Sequence, residues 1–366
     1  MIGLQVAVDG AGLARPRAGV GVYTTEIVRA MAIDRPDCRL VLYAPEGAPA
    51  PNVAGVSVRP VPAARFLGRH VQWPARLRRT RLDAFFGPSG VLPLRDVGAP
   101  SVITVHDLAI YRNRDWFPRR QPLATRFIVP RSLQRADVLI AVSQSTANDI
   151  TELFGVSPNR IGVVPHGVSA RFHPLGAEDL AEAAARLGLP ERFILFVSTI
   201  EPRKNLGTLL QAWAMMRDRP DLVIVGEYGW RFEPIREQIE RLGPHVHVIG
   251  GLDAAELPAV YNLARVLAHP AWYEGFGLPP LEAMACGTPV IVAGTSSLPE
   301  VVGDAGMVVE AGDADAWREA LERVIGDTDL AADMKRSGIL HAARFSWPRA
   351  AGATWGAIDR AIESRR

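Results

Sequence analysis

Val266-Leu267-Ala268-His269-Pro270-Ala271-Trp272-Tyr273-Glu274-Gly275-Phe276-Gly277-Leu278-Pro279-Pro280-Leu281-Glu282 runs from a short apolar stretch, through a loop, into a helical reading that continues to Cys286. A strand buried on both faces reads as such an unbroken apolar run. Two prolines suit the first turn of a helix, where N–H groups lack helical partners anyway. Strand, loop and helix in this order form the repeating unit of doubly wound parallel sheets, whose ligands bind beyond the carboxyl ends of the strands. Glu274 and Glu282 stand eight positions apart, around Gly275-Phe276-Gly277. Either acid alone reads as a surface or first-turn residue. Together, ahead of a helix N-terminus, they suit a ligand that offers both sugar hydroxyls and phosphate.

The same alternation extends in both directions. Strands are expected at Leu4–Val8, Leu40–Tyr43, Val56–Val61, Ala84–Phe86, Ser101–Val105, Val138–Val142 and Ile161–Val164. A second set is expected at Phe193–Ser198, Leu222–Val225, Val246–Ile249, Val266–Ala268, Pro289–Val292 and Met307–Val309. Helical stretches fall between them, among them Gly21–Ala32, Gln121–Arg135, Asn205–Met216, Ile235–Leu242, Ala255–Leu263 and Ala314–Ile325. Two such sets predict an α/β protein of two Rossmann-like domains, with ligand in a cleft between them. The expected division is 1–170, 171–345, and a C-terminal helix in 346–366 that packs back on the first domain. A polar link is expected near 165–190.

The chain has 366 residues, more than one typical core accommodates. Hydrophobic residues make up 48% and charged residues 22%, as in soluble globular proteins. No apolar run reaches the roughly 20 residues of a membrane helix. The first residues read as a strand rather than a signal peptide, and two distant cysteines argue against a disulfide framework, so a cytoplasmic setting is expected. Net charge is +2, but residues 1–170 carry +9 and residues 171–366 carry −7. Arg65–Arg81 interleaves Arg with Phe, Leu, Val and Trp. That pattern fits an ordinary solvated basic face, or peripheral contact with an anionic membrane at its inner surface. No nucleic-acid motif accompanies it.

Three further stretches follow expected strands. Ala18-Gly19-Val20-Gly21-Val22-Tyr23 opens a helix and permits close backbone approach to a ligand; a tight strand-to-helix turn accounts for it equally well. His106-Asp107 follows Ser101–Val105, where packing and capping are the alternative roles. Ser198-Thr199-Ile200-Glu201-Pro202-Arg203-Lys204-Asn205 carries one of only two lysines in a chain with 39 arginines. A guanidinium fork beside a compact ammonium suits a diphosphate, against the alternative of a solvated basic turn.

These residues together resemble the family-four retaining glycosyltransferases of the GT-B fold. Glu274 through Glu282 resembles the two-glutamate motif, Glu201–Asn205 the phosphate element, Ala18–Tyr23 the first glycine loop and Val105-His106-Asp107 the cleft histidine. Gly287-Thr288-Pro289-Val290 and Leu298-Pro299-Glu300-Val301 also match in order. Thr199–Asn205 is most similar to the bacterial mannosyltransferase-like branch. Ala18 stands where a glycine is common, and Val22 where an arginine often follows.

The resemblance implies transfer of a hexose, mannose favoured, from a nucleotide sugar (GDP-mannose favoured) to a polysaccharide or lipid-linked acceptor, without a metal or other cofactor. It implies that Arg203 and Lys204 hold the diphosphate, Glu274 the sugar and Glu282 the ribose. His106 would lie near the transferred sugar. Ser198, Gly275, Phe276, Gly277 and Leu278 would line the donor, Gly19 and Gly21 would approach the diphosphate or acceptor, and Leu252 the base. Alternatives are an inverting transferase or nucleotide-sugar epimerase, and a non-catalytic nucleotide-sugar-binding subunit.

Overall fold

The computed structural model describes residues 3–14, 19–61, 68–119 and 124–366. It contains two compact units. The first comprises Met1–Leu108, Arg120–Gly167 and Ser346–Arg366; the second comprises Ala109–Arg119 and Val168–Phe345.

The first unit is built on β1 (Gln5–Asp9), β2 (Arg39–Ala44), β3 (Val56–Pro60), β4 (Ala84–Gly87), β5 (Ser101–Val105), β6 (Val138–Ala141) and β7 (Ile161–Val163). All pairings are parallel, in the order β3-β2-β1-β4-β5-β6-β7. Val6, Val8, Leu40, Leu42, Phe86 and Ile140 are 0% exposed, as parallel strands covered on both faces must be. Helices Gly19–Asp34 and Trp347–Glu363 pack together on this sheet. The Trp355 indole donates to the Met31 carbonyl at 3.1 Å, and Arg35 pairs with Asp359 at 2.7 Å.

The second unit is built on β8 (Phe193–Val197), β9 (Asp221–Val225), β10 (Val246–Ile249), β11 (Val266–His269), β12 (Val290–Ala293) and β13 (Met307–Val309). Its order is β10-β9-β8-β11-β12-β13, again all parallel. In both sheets the order reverses beside the first strand, the place where open α/β sheets bind ligands.

All thirteen strands lie where the apolar runs place them, within two residues at each end. Helices were less legible. The expected polar link contains the helix Ala177–Leu187, with Glu178 and Asp179 in its first turn and Gly188 in the left-handed conformation at its end. Its alanines and charges bury only Ala183, so it carries little apolar signal. Gln144–Phe154 and Thr328–Ala342 were also not anticipated as helices. The expected helix Gln121–Arg135 appears as Ala124–Ile128 running into Val129–Arg135; its first three positions lie outside the described residues. Residues 109–119 depart from a single break near 170 by packing in the second unit. Both cysteines are buried thiols. Among the described residues no helix is long and apolar enough to cross a membrane.

Candidate active site

The second unit gathers a charged cluster at the carboxyl ends of β8 and β11. After β8 the chain passes Ser198 and turns through a short 3-10 segment, Pro202–Lys204. Asn205 then takes a left-handed conformation (φ 53°) and starts the helix Leu206–Met215. A non-glycine residue in that region needs local hydrogen bonding, which Asn supplies. Its side-chain amide donates to the Pro270 carbonyl at 3.0 Å and to the Ala311 carbonyl at 2.7 Å. The basic turn is thereby fixed to the loop after β11.

Glu274 is the centre of the cluster. Lys204 Nζ and the His269 Nε2 (2.9 Å) both meet its Oε1, while Arg203 reaches its Oε2 at 3.3 Å. Arg203 also donates to the Tyr273 carbonyl at 2.9 Å and pairs with Glu201 at 2.8 Å. Burial alone would raise the Glu274 pKa, but Lys204, the His269 hydrogen bond and Arg203 together hold it well below the usual carboxylate range. Burial pulls Lys204 downward, opposed by Glu274. Burial likewise lowers His269 and raises Glu201.

The loop after β12 clamps this arrangement from the other side. Ser296 Oγ accepts from the Glu274 amide at 2.8 Å; Ser297 Oγ donates to the carbonyls of Glu274 (2.9 Å) and Phe276 (2.6 Å). Gly277 is required at the next position. Its φ is +115°, and a Cβ there would lie 3.0 Å from Leu298 Cδ2. The helix Leu278–Ala285 follows, with prolines in its first turn. Pro279 and Pro280 carry no N–H, so the amides ahead of this helix narrow to those of Gly277 and Leu278.

Glu282 lies on that helix in a different environment. Tyr261 donates to its Oε2 at 3.0 Å, and burial pushes its pKa up to about 7 despite that bond. The two acids of the motif are thus separated chemically: Glu274 is locked as a carboxylate, Glu282 titrates near neutrality.

Ser198, Arg203, Lys204, Glu274, Gly275, Phe276 and Gly277 therefore lie on the strand-to-helix connections of one unit, and Leu278 and Glu282 on the helix that follows. Leu252 sits on the loop after β10, and the contacts that hold the cluster do not include it. Gly19, Gly21 and His106 belong to the first unit. Gly19 begins the helix Gly19–Asp34 and Gly21 is buried in its first turn; Ala18 lies outside the described residues. Tyr23 on that helix meets the His106 ring edge-on at 4.7 Å. His106 Nε2 lies 2.6 Å from the Pro88 carbonyl. A carbonyl only accepts, so Nε2 carries the proton and Nδ1 presents its lone pair. Burial lowers the pKa of this ring, and His166 stacks on it at 5.5 Å.

Sequence reading missed His269, Ser296 and Ser297 as members of the site, and it placed Asn205 in the phosphate element without the amide contacts that tie it to the loop after β11. His269 is the last residue of β11, so the carboxyl-end rule already pointed to it. The serines carry no comparable signal.

Two family descriptions divide the chain: Glycosyltransferase Family 4 matches residues 17–172 and Glycosyl transferases group 1 matches residues 180–341. The O-antigen chain mannosyltransferase B of Escherichia coli is 32% identical over 270 residues, covering 72% of this chain and 70% of that protein. The chain belongs to the family-four glycosyltransferases. Within them it falls in the mannosyltransferase-like branch of the GT-B fold. A D-inositol 3-phosphate glycosyltransferase of Salinispora arenicola is 35% identical over 286 residues, covering 72% of this chain but only 64% of that relative. Among solved structures, the sucrose-phosphate synthase of Thermosynechococcus elongatus shares the fold, with a TM-score of 0.81, 21% identity, and coverage of 99% and 100% of the two chains.

Proposed function

We propose that this glycosyltransferase is a retaining hexosyltransferase, mannose favoured, using a nucleotide-sugar donor (GDP-mannose favoured) and a polysaccharide or lipid-linked acceptor. The observation that carries the reading is Glu274 held by Lys204, Arg203 and His269 at the carboxyl end of β11. The relationship to an O-antigen mannosyltransferase supports mannose as the sugar.

In this reading Arg203 and Lys204 face the donor diphosphate and stabilise the charge that grows as the sugar–phosphate bond breaks. They do the work a divalent cation does elsewhere, so a chelator leaves activity intact. Glu274 accepts from the sugar hydroxyls. Both of its oxygens already receive donors, and its pKa is depressed, which makes it a poor nucleophile. That favours same-face attack over a covalent glycosyl-enzyme. The acceptor oxygen bonds to the anomeric carbon, the bonding pair leaves with the diphosphate, and the acceptor proton passes to the departing phosphate oxygen. Glu282 holds the ribose hydroxyls, and His106 offers the Nδ1 lone pair to a sugar or acceptor hydroxyl. Exposed Arg78, Arg79 and Arg81 support peripheral contact with an anionic membrane.

The test is transfer or hydrolysis with GDP-, UDP- and ADP-sugars by wild type, Lys204→Ala and Glu274→Ala, with the anomeric configuration of the product read by NMR. Loss of turnover by about a hundredfold or more in both variants, with retention of configuration, is expected. Equal activity in all three proteins, or an inverted product, would refute the assignment.

A further inference from the structure

A cavity of about 290 Å³ in the first unit borders the carboxyl ends of β2 and β3. Tyr43 and Trp73 form its aromatic wall, with ring centroids 5.4 Å apart. Trp73 is 5% exposed and also packs on Phe85, so its indole is a fixed platform. Its Nε1–H is buried and has no hydrogen-bond partner among the described residues, a condition that native interiors rarely leave unanswered. Arg59, Gln72, Arg76 and Thr80 supply the polar lining.

An adjoining recess of about 110 Å³ shares Tyr43 and Trp73 and holds Asp9, the only acid among the described residues of either lining. Asp9 is 3% exposed and is neutralised by Arg69 at 2.8 Å. Among the described residues neither Arg59 nor Arg76 has a carboxylate partner. The described lining therefore carries net positive charge beside an aromatic wall.

Parallel sheets bind ligands at this end of their strands. The volume suits one ring and a small substituent rather than an extended chain. Indole and phenol faces cover the apolar face of a sugar ring, and guanidinium forks match phosphate oxygens. We propose that this cavity binds a phosphate group carried on a sugar ring, as the acceptor or its anchoring part; that role rests on the glycosyl-transfer reading above. Two sources present this chemistry: a free hexose phosphate, or the headgroup of a phosphoinositide-type lipid.

The experiment is calorimetric titration of the full chain with mannose 6-phosphate, mannose and inorganic phosphate. It is paired with binding to phosphatidylinositol vesicles and to phosphatidylserine vesicles of equal charge. Mannose 6-phosphate, or phosphatidylinositol over phosphatidylserine, should bind at least about tenfold more tightly than the controls. Arg59→Gln and Arg76→Gln should each weaken that binding by roughly tenfold to a hundredfold. Binding to the free sugar phosphate assigns the soluble source; binding to phosphatidylinositol alone assigns the lipid. Equal affinity for mannose and its phosphate, no preference between the two vesicles together with no sugar-phosphate binding, or binding untouched by both substitutions would each overturn the proposal. Nucleotide-sugar binding measured on the same samples reports an intact fold. Its persistence alongside a negative result would sink the cavity assignment while the transferase reading stands.

Discussion

His269 donates from Nε2 to Glu274 Oε1 across 2.9 Å, from a ring that is 0% exposed. A carboxylate accepts, so the proton sits on Nε2, while Nδ1 is buried without a partner among the described residues. The ring gives up one hydrogen bond in order to aim the other. Replacing it by Ala should lower kcat by roughly tenfold to a hundredfold, with nucleoside diphosphate affinity changed less than about threefold. Steady-state kinetics beside calorimetry of the nucleotide separates the two effects.

Lys204 and Glu274 have side chains that are each 11% exposed. Removing one partner strands a buried charge. Lys204→Met should cost about 3 kcal/mol of unfolding free energy, and adding Glu274→Gln should recover part of that loss. Urea unfolding of both single variants and the double variant gives the coupling directly.

Glu282 makes stability depend on pH. Its pKa rises from 4.5 to about 7 on folding. Between those values the unfolded chain releases a proton that the folded chain retains. Stability from this group therefore falls as pH rises through that window and stays at the lower level above it. Glu282→Gln keeps an oxygen for the Tyr261 hydroxyl and removes the titration. Its melting temperature should match wild type near pH 5 and exceed it at pH 8.

Asn205 supports two loops at once through its amide hydrogens, and its Oδ1 accepts from Thr208 at 2.8 Å. Asn205→Ala leaves two carbonyls short and keeps the left-handed backbone, so a loss of about 2–4 kcal/mol is expected. Asn205→Gly relieves only the backbone part and should be less damaging. Denaturant midpoints of the two variants rank the contributions.

His106 should be a neutral Nε2–H imidazole at pH 7.5, because burial lowers its pKa and the Pro88 carbonyl fixes the tautomer. Long-range nitrogen–proton NMR correlations of the ring would show an unprotonated Nδ1. An imidazolium pattern at that pH would contradict the lone-pair role.

Strands were legible because parallel sheets demand unbroken apolar runs, and Phe193–Val197 or Val138–Ala141 can be read as little else. Arg203, Lys204, Glu274 and Glu282 were legible because charge beside glycine and proline after such a run is unusual. What the sequence concealed is pairing. Nothing in spacing shows that Glu274 takes both cations, that Glu282 takes a tyrosine instead, or that Ser296 and Ser297 grip the loop. Those contacts join strands far apart in the chain, and each depends on where a loop ends in space. Ala177–Leu187 was hidden for the opposite reason: it buries almost nothing, so its helical character resides in local propensity alone.

Residues 109–119 bear on how this protein can be cut and recombined. The Trp230 indole donates to the Trp116 carbonyl at 2.7 Å, Phe117 stacks on Trp230 at 5.7 Å, and Trp116 leans toward Tyr273, the neighbour of Glu274. A fragment that begins at Val168 would leave an indole donor and an aromatic face uncovered beside the charged cluster. One that stops at Phe345 would strip the first unit of the helix carrying Trp355. Neither piece of contiguous chain is a self-sufficient half. A chimera that exchanges second units between relatives must therefore graft the strap at 109–119 along with Val168–Phe345, and return the last twenty-one residues, Ser346–Arg366, to the first unit.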